Sequence, residues 1–319
     1  MNCKKILRKL ICCGVIGAAL FTGLNYSSAE DFDPDQAINQ YSQKIQANPD
    51  NAVMYNNRGV AYKMKSNYES AIADLTRAIQ LDPNYADAYN NRGAVYYEIG
   101  RYQQAIEDYT KAIQLEPNNA VAYNNRASAH ILVGSNAGVT GNKALHDSEC
   151  RKAVSDCTHA IDLKSNYEEA YLNRGRAYDY LNENDKAIND LTRAIEINSN
   201  NYVTYATRGS VYSDLDKTDL ALADYKHALQ LNPDYGSAYN NCGIIYLNKG
   251  QYDLAIENFN KALDKVGENI YDVYNNRGVA YYRKGQYDKA IDDFTMALSY
   301  KPDFQPAIQN IKAVTAAKK

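Results

Sequence analysis

The sequence predicts an all-α protein made of repeated antiparallel helix pairs, and three observations support this fold class. The pentapeptide YNNRG occurs at residues 55–59, 89–93 and 274–278, with near-copies at 123–127, 171–175, 205–209 and 239–243. A sustained period of about 34 residues indicates stacked supersecondary units that bury their apolar faces against one another. Within each period, small and aromatic residues follow helical spacing twice, around a break, and a proline often ends the second run. Each period is therefore predicted to form two helices, A and B.

The fixed positions of the repeat are visible in its first two copies. In residues 52–85 they are Tyr55, Gly59, Tyr62, Tyr68, Ala71, Leu75, Ala78 and Pro83. In residues 86–119 they are Tyr89, Gly93, Tyr96, Tyr102, Ala105, Tyr109, Ala112 and Pro117. This pattern resembles the tetratricopeptide repeat (TPR), W-x2-L-G-x2-Y…A-x3-F…P, with Tyr in place of Trp and, in all but one copy, Arg in place of Leu. The resemblance implies a right-handed α-solenoid, the TPR superhelix, whose A helices line a concave groove.

Seven repeats and two caps account for the chain after its N-terminus. The predicted repeats are residues 52–85, 86–119, 120–167, 168–201, 202–235, 236–270 and 271–304. Residues 30–51 place Ala37, Tyr41 and Pro49 at helix-B positions, which predicts a half-repeat cap. Residues 305–319 begin like an A helix and predict a C-terminal capping helix. Solenoids need such polar-faced ends to stay soluble.

The third repeat carries an insertion at about residues 135–148. SNAGVTG has a flexible composition, and the following NKALHDSEC is expected to lengthen helix B at its start. His146, Asp147, Glu149 and Cys150 lie here, but their spacing matches no known metal-ligand pattern. We therefore predict no metal site, and we keep the insertion as a secondary binding element.

Residues 1–29 have the three-part plan of a secretory signal peptide. Four basic residues precede the uncharged run LICCGVIGAALFTGL, and Ser27-Ser28-Ala29 offers a cleavage site before Glu30. We expect an exported protein, periplasmic or secreted, with no membrane insertion after cleavage. The alternative is a membrane anchor formed by uncleaved residues 10–29, a run that is just long enough to span a bilayer.

Charge and cysteine content exclude some functional classes. Without residues 1–29 the chain has 31 basic and 38 acidic residues, a net charge of about −7. Such a surface repels nucleic acid, so other proteins or extended peptide segments are the expected partners. Cys150, Cys157 and Cys242 remain, an odd number without a CxxC motif, and are predicted to be free, buried thiols. The oligomeric state cannot be predicted from these features.

Position 7 of helix A carries an arginine in the packed stripe, and a cation there must be paired. Position 23 of helix B, counted without the insertion, carries an aspartate in the same six repeats. Repeat six is the exception at both positions, with Cys242 and Asn258. We therefore predict a structural ion pair within each of the other repeats. The pairs are Arg58–Asp74, Arg92–Asp108, Arg126–Asp156, Arg174–Asp190, Arg208–Asp224 and Arg277–Asp293.

Positions 5 and 6 of helix A face away from that stripe and are rich in asparagine. An amide can satisfy both the N–H and the C=O of a peptide group, so a row of amides could hold an extended segment by its backbone. The predicted peptide-binding residues are Asn56, Asn57, Asn90, Asn91, Asn124, Asn125, Asn173, Arg176, Asn240, Asn241, Asn275 and Asn276. Duplication of the repeat could also have copied these asparagines without a ligand role.

No catalytic residue, cofactor site or metal site is predicted, because the sequence has no nucleophile elbow, no HExxH and no phosphate-binding loop. We expect a non-enzymatic, exported module that binds an extended protein segment. One alternative is a structural scaffold in a cell-envelope or secretion assembly, acting through its convex face or its ends. A secreted effector is the other.

Overall fold

The computed structural model describes residues 33–265 and 270–318, which form sixteen α-helices and no strand. The predicted signal peptide and the first residues of the predicted N-terminal cap lie outside this range. The helices are α1 Pro34–Ala47, α2 Ala52–Met64, α3 Tyr68–Leu81, α4 Ala86–Glu98, α5 Tyr102–Leu115, α6 Ala120–Val139, α7 Lys143–Leu163, α8 Glu168–Tyr180, α9 Asn184–Ile197, α10 Tyr202–Asp214, α11 Thr218–Leu231, α12 Gly236–Asn248, α13 Tyr252–Leu263, α14 Ile270–Arg283, α15 Tyr287–Tyr300 and α16 Gln305–Ala317. The predicted all-α class of antiparallel helix pairs is confirmed.

The chain divides into two compact units, with the boundary between Glu183 and Asn184. The N-terminal unit contains α1 to α8, and the C-terminal unit contains α9 to α16. Inside each unit, every helix packs against the next one, and the A helices of successive repeats also touch. Each unit is therefore a stack in which a repeat contacts only its neighbours, as expected for repeat proteins.

Helices A and B of one repeat cross closely because position 8 lacks a side chain. A Cβ added at Gly93 would lie 2.9 Å from Tyr109 Cε1, and one at Gly243 would lie 2.6 Å from Phe259 Cε1. Repeat three has Ala127 at this position, and there the facing residue is the small Cys157. The extra methyl group of Ala127 on helix A is thus accommodated by the smaller side chain of Cys157 on helix B.

The turn from helix A to helix B passes through the left-handed region. Its residue at position 15 has a φ of 77° at Gly100, and of 57° at both Ser66 and Asp216. Glycine adopts this conformation without strain, whereas serine and aspartate are less common there. The break seen in the sequence pattern is therefore a single left-handed residue between two helices.

The insertion in repeat three differs from its prediction. α6 has 20 residues and α7 has 21, whereas α4 and α5 have 13 and 14. The segment SNAG is helical and partly buried rather than a flexible loop. The physical reason is close packing of α6 against α7, since Ser135, Ala137 and Gly138 are buried and a Cβ at Gly134 would lie 3.0 Å from Cys150 Sγ. The extra residues lengthen both helices of the pair by about two turns.

Candidate protein-binding face

The arginines at position 7 hold the aspartates at position 23 of their own repeats. Arg92 Nε and Nη2 each donate to one oxygen of the Asp108 carboxylate, both at 2.8 Å. The same two-bond geometry, at 2.6 to 2.9 Å, joins Arg58–Asp74, Arg126–Asp156, Arg208–Asp224 and Arg277–Asp293. Bonding to Asp108 raises the pKa of Arg92 in spite of its burial. The sixth predicted partners, Arg174 and Asp190, lie in different units.

The third nitrogen of each arginine reaches the preceding repeat, which the sequence analysis did not predict. Arg92 Nη1 donates to Thr76 Oγ1 at 3.1 Å. The equivalent acceptors at position 25 are Ser42, Thr110, Thr158, Thr192 and Asn260, which accept from Arg58, Arg126, Arg174, Arg208 and Arg277. The arginine therefore connects helices A and B of its own repeat with helix B of the preceding repeat.

Two tyrosines flank most of these guanidinium groups and account for much of the high tyrosine content. The carbon atom of the Arg92 guanidinium lies 5.8 Å from the centre of the Tyr89 ring and 5.9 Å from that of Tyr96. These tyrosines occupy positions 4 and 11 of helix A. Contact of a cation with an aromatic face stabilises it further.

Repeat six shows how the arrangement changes when the arginine is absent. Cys242 replaces it, and burial raises the pKa of the Cys242 thiol to about 12. Asn258 replaces the aspartate, and Lys226 replaces the hydroxyl or amide at position 25 of the preceding repeat. All three partners of the contact differ together. Among the described residues, Cys150, Cys157 and Cys242 form no disulfide and are buried.

The asparagines at positions 5 and 6 hydrogen-bond to each other between successive A helices. In the N-terminal unit, Asn91 donates to Asn56 Oδ1 at 2.9 Å, and Asn125 donates to Asn90 Oδ1 at 3.1 Å. In each bond, an amide at position 6 gives one N–H to the amide at position 5 of the preceding repeat. The other bonds of this type are Asn173–Asn124, Asn276–Asn240 and Asn310–Asn275. We call these bonds the rungs, and the side of the A helices that carries them the amide face.

The amide face is partly filled by its own rungs. Asn56, Asn124, Asn173, Asn240, Asn241 and Asn275 are buried, whereas Asn57, Asn90, Asn91, Asn125 and Asn276 are half-buried. Asn310 belongs to the same row, although the sequence analysis did not include it. Its spacing of 34 residues from Asn276 was the available signal. Arg176, which was expected to be open to a ligand, is 6% exposed and therefore buried.

The rungs of Asn91 and Asn125 leave hydrogen-bonding groups for another molecule. Asn91 and Asn125 each use one N–H in their rung, and no other side-chain bond of theirs is made among the described residues. A primary amide has two N–H groups and an oxygen with two lone pairs. The amide face can therefore both donate and accept hydrogen bonds at intervals of one repeat.

The lengthened pair of helices in repeat three encloses a polar cluster rather than a metal site. His130 Nδ1 lies 2.6 Å from Glu149 Oε2, and Lys152 Nζ lies 2.6 Å from Glu149 Oε1. The ring nitrogens of His146 lie 2.8 Å from Gly134 O and 3.1 Å from Tyr180 O, which ties the extension to α8. Nowhere in residues 33–265 and 270–318 do three or more His, Cys, Asp or Glu side chains form a group that could hold a metal.

A membrane-spanning helix needs about 20 mostly apolar residues, and the helices of the described range have 12 to 21 residues. None of them is long and apolar enough to cross a bilayer. This finding does not include residues 1–32, where the predicted signal peptide lies.

Comparison with protein families matches the chain to two repeat models. The tetratricopeptide repeat model matches residues 86–119, 168–201, 236–265 and 271–304. A second TPR repeat model matches residues 64–100 and 209–250, and together the two cover more than half of the chain. No curated protein matches the sequence significantly.

Solved structures of similar fold are TPR proteins and related assemblies. A crystal structure of the APC/C hetero-tetramer Cut9-Hcn1 has a TM-score of 0.66 and 17% identity, and it covers 88% of this chain and 52% of that chain. This chain thus spans about half the length of that relative. A TPR protein from Parabacteroides merdae has a TM-score of 0.60 and 18% identity, with 88% of this chain and 99% of that chain covered. TTC0263, a thermophilic TPR protein in Thermus thermophilus, has a TM-score of 0.51 and 22% identity, covering 59% and 98%. At these identities the similarity shows the fold alone.

Proposed function

Because this chain belongs to the tetratricopeptide repeat family, we propose that it is a protein–protein interaction module that binds an extended protein segment along its amide face. TPR repeats generally serve as interaction or scaffold modules, and no enzymatic activity is proposed. The observation that carries the proposal is the row of amides, in which half-buried members such as Asn91 and Asn125 keep hydrogen-bonding groups after their rungs are made.

The rungs favour binding because they fix the amides before a ligand arrives. A free asparagine side chain must be immobilised when it binds, and this ordering opposes association. Asn91 and Asn125 are already held at 2.9 and 3.1 Å from their neighbours. A segment in extended conformation presents N–H and C=O groups along its length. Backbone recognition of this kind has little dependence on the ligand's sequence.

A second candidate function is supported by the B helices of the C-terminal unit. Leu220 and Leu254 occupy the same position in repeats five and six, and they are 50% and 43% exposed. Two equivalent exposed leucines favour a scaffold role, in which this side contacts a folded partner. The protein would then act as an assembly component rather than a binder of extended segments.

Affinity capture from an extract of the native cells distinguishes the two functions. The baits are the wild type, Asn91→Ala/Asn125→Ala and Leu220→Ser/Leu254→Ser, compared at equal folded fraction. Partners that are lost only with the asparagine variant, and that bind through one short segment, support the proposed function. Partners that are lost only with the leucine variant would replace it with the scaffold role.

Export is a separate part of the proposal and rests on residues 1–29 alone. We propose that these residues direct the chain out of the cytoplasm, into a periplasm or into the medium. A secreted effector is compatible with the second location. Fractionation and mass measurement of the native protein test this, since a cleaved chain would begin near Glu30. A full-length chain in the membrane fraction would instead indicate the anchor formed by residues 10–29.

A further inference from the structure

Repeats three and four share a complete polar contact on the amide face. Asn173 Nδ2 donates to Asn124 Oδ1 and to Ser128 Oγ, each at 2.9 Å. These residues occupy position 6 of one repeat and positions 5 and 9 of the repeat before it. All three are buried, so the contact satisfies the amide inside the protein. The amide at position 6 therefore uses one amide oxygen and one hydroxyl of the preceding repeat as its acceptors.

The amide oxygen of this contact is absent at the equivalent place between repeats five and six. Asn241 occupies position 6 and Ser210 occupies position 9, but position 5 is Ala206. Asn241 and Ser210 are each 8% exposed, and neither side chain makes a hydrogen bond within residues 33–265 and 270–318. Buried polar groups almost always have a partner in the protein or in bound solvent. The missing rung thus leaves a buried amide and a buried hydroxyl to another molecule.

These two side chains line a small, partly open pocket, which we call the repeat-five pocket. It lies between α10, α11 and α12 and is lined by Ser210, Ser213, Asp214, Tyr225, Asn241 and Ile244. Its enclosed volume is about 10 Å³, which is about the room that one water molecule needs. A ligand can therefore place only a single polar atom inside, while the rest of it stays in the groove.

The chemistry of the pocket favours an uncharged carbonyl oxygen. The N–H groups of Asn241 need an acceptor, which an ammonium or a guanidinium group cannot provide. A carboxylate would bring a second negative charge beside Asp214, and like charges at short distance repel each other. Asp214 itself already interacts within the protein and takes no part in the contact. The group that fills this place in repeat three is the amide oxygen of Asn124.

We propose that the repeat-five pocket binds one amide carbonyl oxygen of a segment lying along the amide face, so that the ligand supplies the missing rung. This inference rests on the proposed function and assigns one of its contacts to Asn241. The side-chain amide of Asn or Gln and a backbone peptide group share this chemistry. The ligand oxygen would accept from Asn241, as the Asn124 oxygen accepts from Asn173 in repeats three and four.

The test uses a phage-displayed library of random twelve-residue peptides, selected on the wild-type protein. Binding of the most enriched peptide is then measured by fluorescence anisotropy to the wild type, Asn241→Ala and Ala206→Asn. The first variant removes the donor, and the second supplies the amide from the protein itself. Each should weaken binding about threefold to tenfold, which corresponds to the loss of one net hydrogen bond.

A matched control separates the pocket from the added side chain. Ala223→Asn introduces the same amide at an exposed position of α11, outside the pocket, and should leave the affinity unchanged. Thermal melting verifies that each variant is folded, and either pocket variant is sufficient for the test.

Modified peptides identify the amide that enters the pocket. In one set, each Asn is replaced by Leu and each Gln by Met, which removes the side-chain amide. In the other, each backbone amide in turn is replaced by an ester, whose carbonyl oxygen is a weaker acceptor. The form that carries the contact should bind the wild type about threefold to tenfold more weakly than the parent peptide and should bind Asn241→Ala as well as the parent does. A loss in the first set identifies a side chain, and a loss in the second identifies the backbone.

The outcomes separate this inference from the proposed function. Enriched peptides that bind Asn241→Ala and Ala206→Asn with wild-type affinity would overturn the role of the repeat-five pocket alone. Failure to enrich any peptide would overturn both. A loss of affinity in the two variants that is the same for every modified peptide would show that no amide of the ligand contacts Asn241, and it would also overturn the inference.

Discussion

Arg92 Nη1 donates a hydrogen bond to Thr76 Oγ1, 3.1 Å away in the preceding repeat. Its other two donating nitrogens hold Asp108 of its own repeat. One half-buried side chain therefore links three helices, and the same contact recurs along each unit. Stability of a repeat protein is close to a sum of repeat and neighbour terms, so this contact contributes to both terms at once.

Replacing Arg92 by alanine should lower the stability of the protein considerably. It leaves the buried Asp108 carboxylate without its partner, and breaking a buried ion pair in this way costs about 3 kcal/mol or more. Urea denaturation followed by circular dichroism measures the change. Arg101→Ala removes an exposed arginine in the turn between α4 and α5 and should shift stability by less than about 0.5 kcal/mol. Equal midpoints for the two variants would contradict the assigned role.

Repeat six should accept an arginine only when its partners change as well. Cys242→Arg alone introduces a buried cation beside Lys226 and opposite Asn258, so we expect a loss of about 3 kcal/mol or more. Adding Asn258→Asp and Lys226→Thr restores the carboxylate and the hydroxyl found in the other repeats, and most of the loss should be recovered. Melting temperatures of the single and triple variants test this. A triple variant no more stable than the single one would show that the three positions are not coupled.

Asn91 and Asn241 occupy the same repeat position, but they should respond differently to alanine. Asn91→Ala removes a rung and leaves Asn56 Oδ1 without its donor, a cost of about 1 kcal/mol that the better helix propensity of alanine partly offsets. Asn241→Ala removes no rung, so only the gain in propensity, up to about 0.7 kcal/mol, is expected. Asn241→Ala should therefore be the more stable of the two by about 1 kcal/mol in urea denaturation. The reverse order would contradict the assignment of the rungs.

Acid should destabilise the third repeat through His130 and Glu149. Burial lowers the pKa of His130, and the Lys152 and His130 contacts lower the pKa of Glu149 in spite of its burial. Both groups therefore bind protons more readily in the unfolded chain, and stability falls as the pH falls. The histidine contribution is complete above about pH 6.5 and is lost between that value and its lower folded pKa. The glutamate contribution is complete above about pH 4.3 and is lost as the pH falls through its folded pKa.

The variant His130→Gln isolates the histidine part of this dependence. Its melting temperature should decrease less between pH 7 and pH 5 than that of the wild type. His159→Gln, which changes an exposed histidine on α7, the other helix of the same repeat, should follow the wild-type curve. Parallel curves for all three proteins would contradict the linkage to His130.

The pairing of arginine with aspartate could be predicted because repeat six supplies an internal comparison. Cys242 and Asn258 change together, and this is visible in one sequence. The residue at position 25, which accepts a hydrogen bond from the arginine of the next repeat, could have been identified in the same way. Lys226 occupies this position before repeat six, whereas the other repeats have Ser, Thr or Asn there. The signal is harder to recognise because this contact joins two neighbouring repeats, whereas the arginine and the aspartate lie in the same repeat.

The pairing of amides in the rungs and the helical structure of the insertion could not be predicted, because both depend on distances between helices that a sequence does not contain. Which amide bonds to which depends on the separation of neighbouring A helices, so Asn91 and Asn56 could be placed on one face but not paired. The composition of SNAGVTG suggested a flexible loop, yet α6 continues to Val139, and the close contact of Gly134 with Cys150 requires a glycine inside this continuous helix. In this chain a glycine marks close packing at Gly134 and a left-handed turn at Gly100.

Site-specific photocrosslinking in the native cell tests the central claim most directly, which is that the amide face binds an extended protein segment. A photoreactive amino acid is placed at Ala94, one helical turn from Asn90 on the amide face, or at the exposed Glu107 of the adjoining B helix. The proposed function predicts an adduct from position 94 that maps to one short, contiguous stretch of a partner protein, and none from position 107. Adducts from position 107 alone would contradict it and would move the binding surface to the B helices.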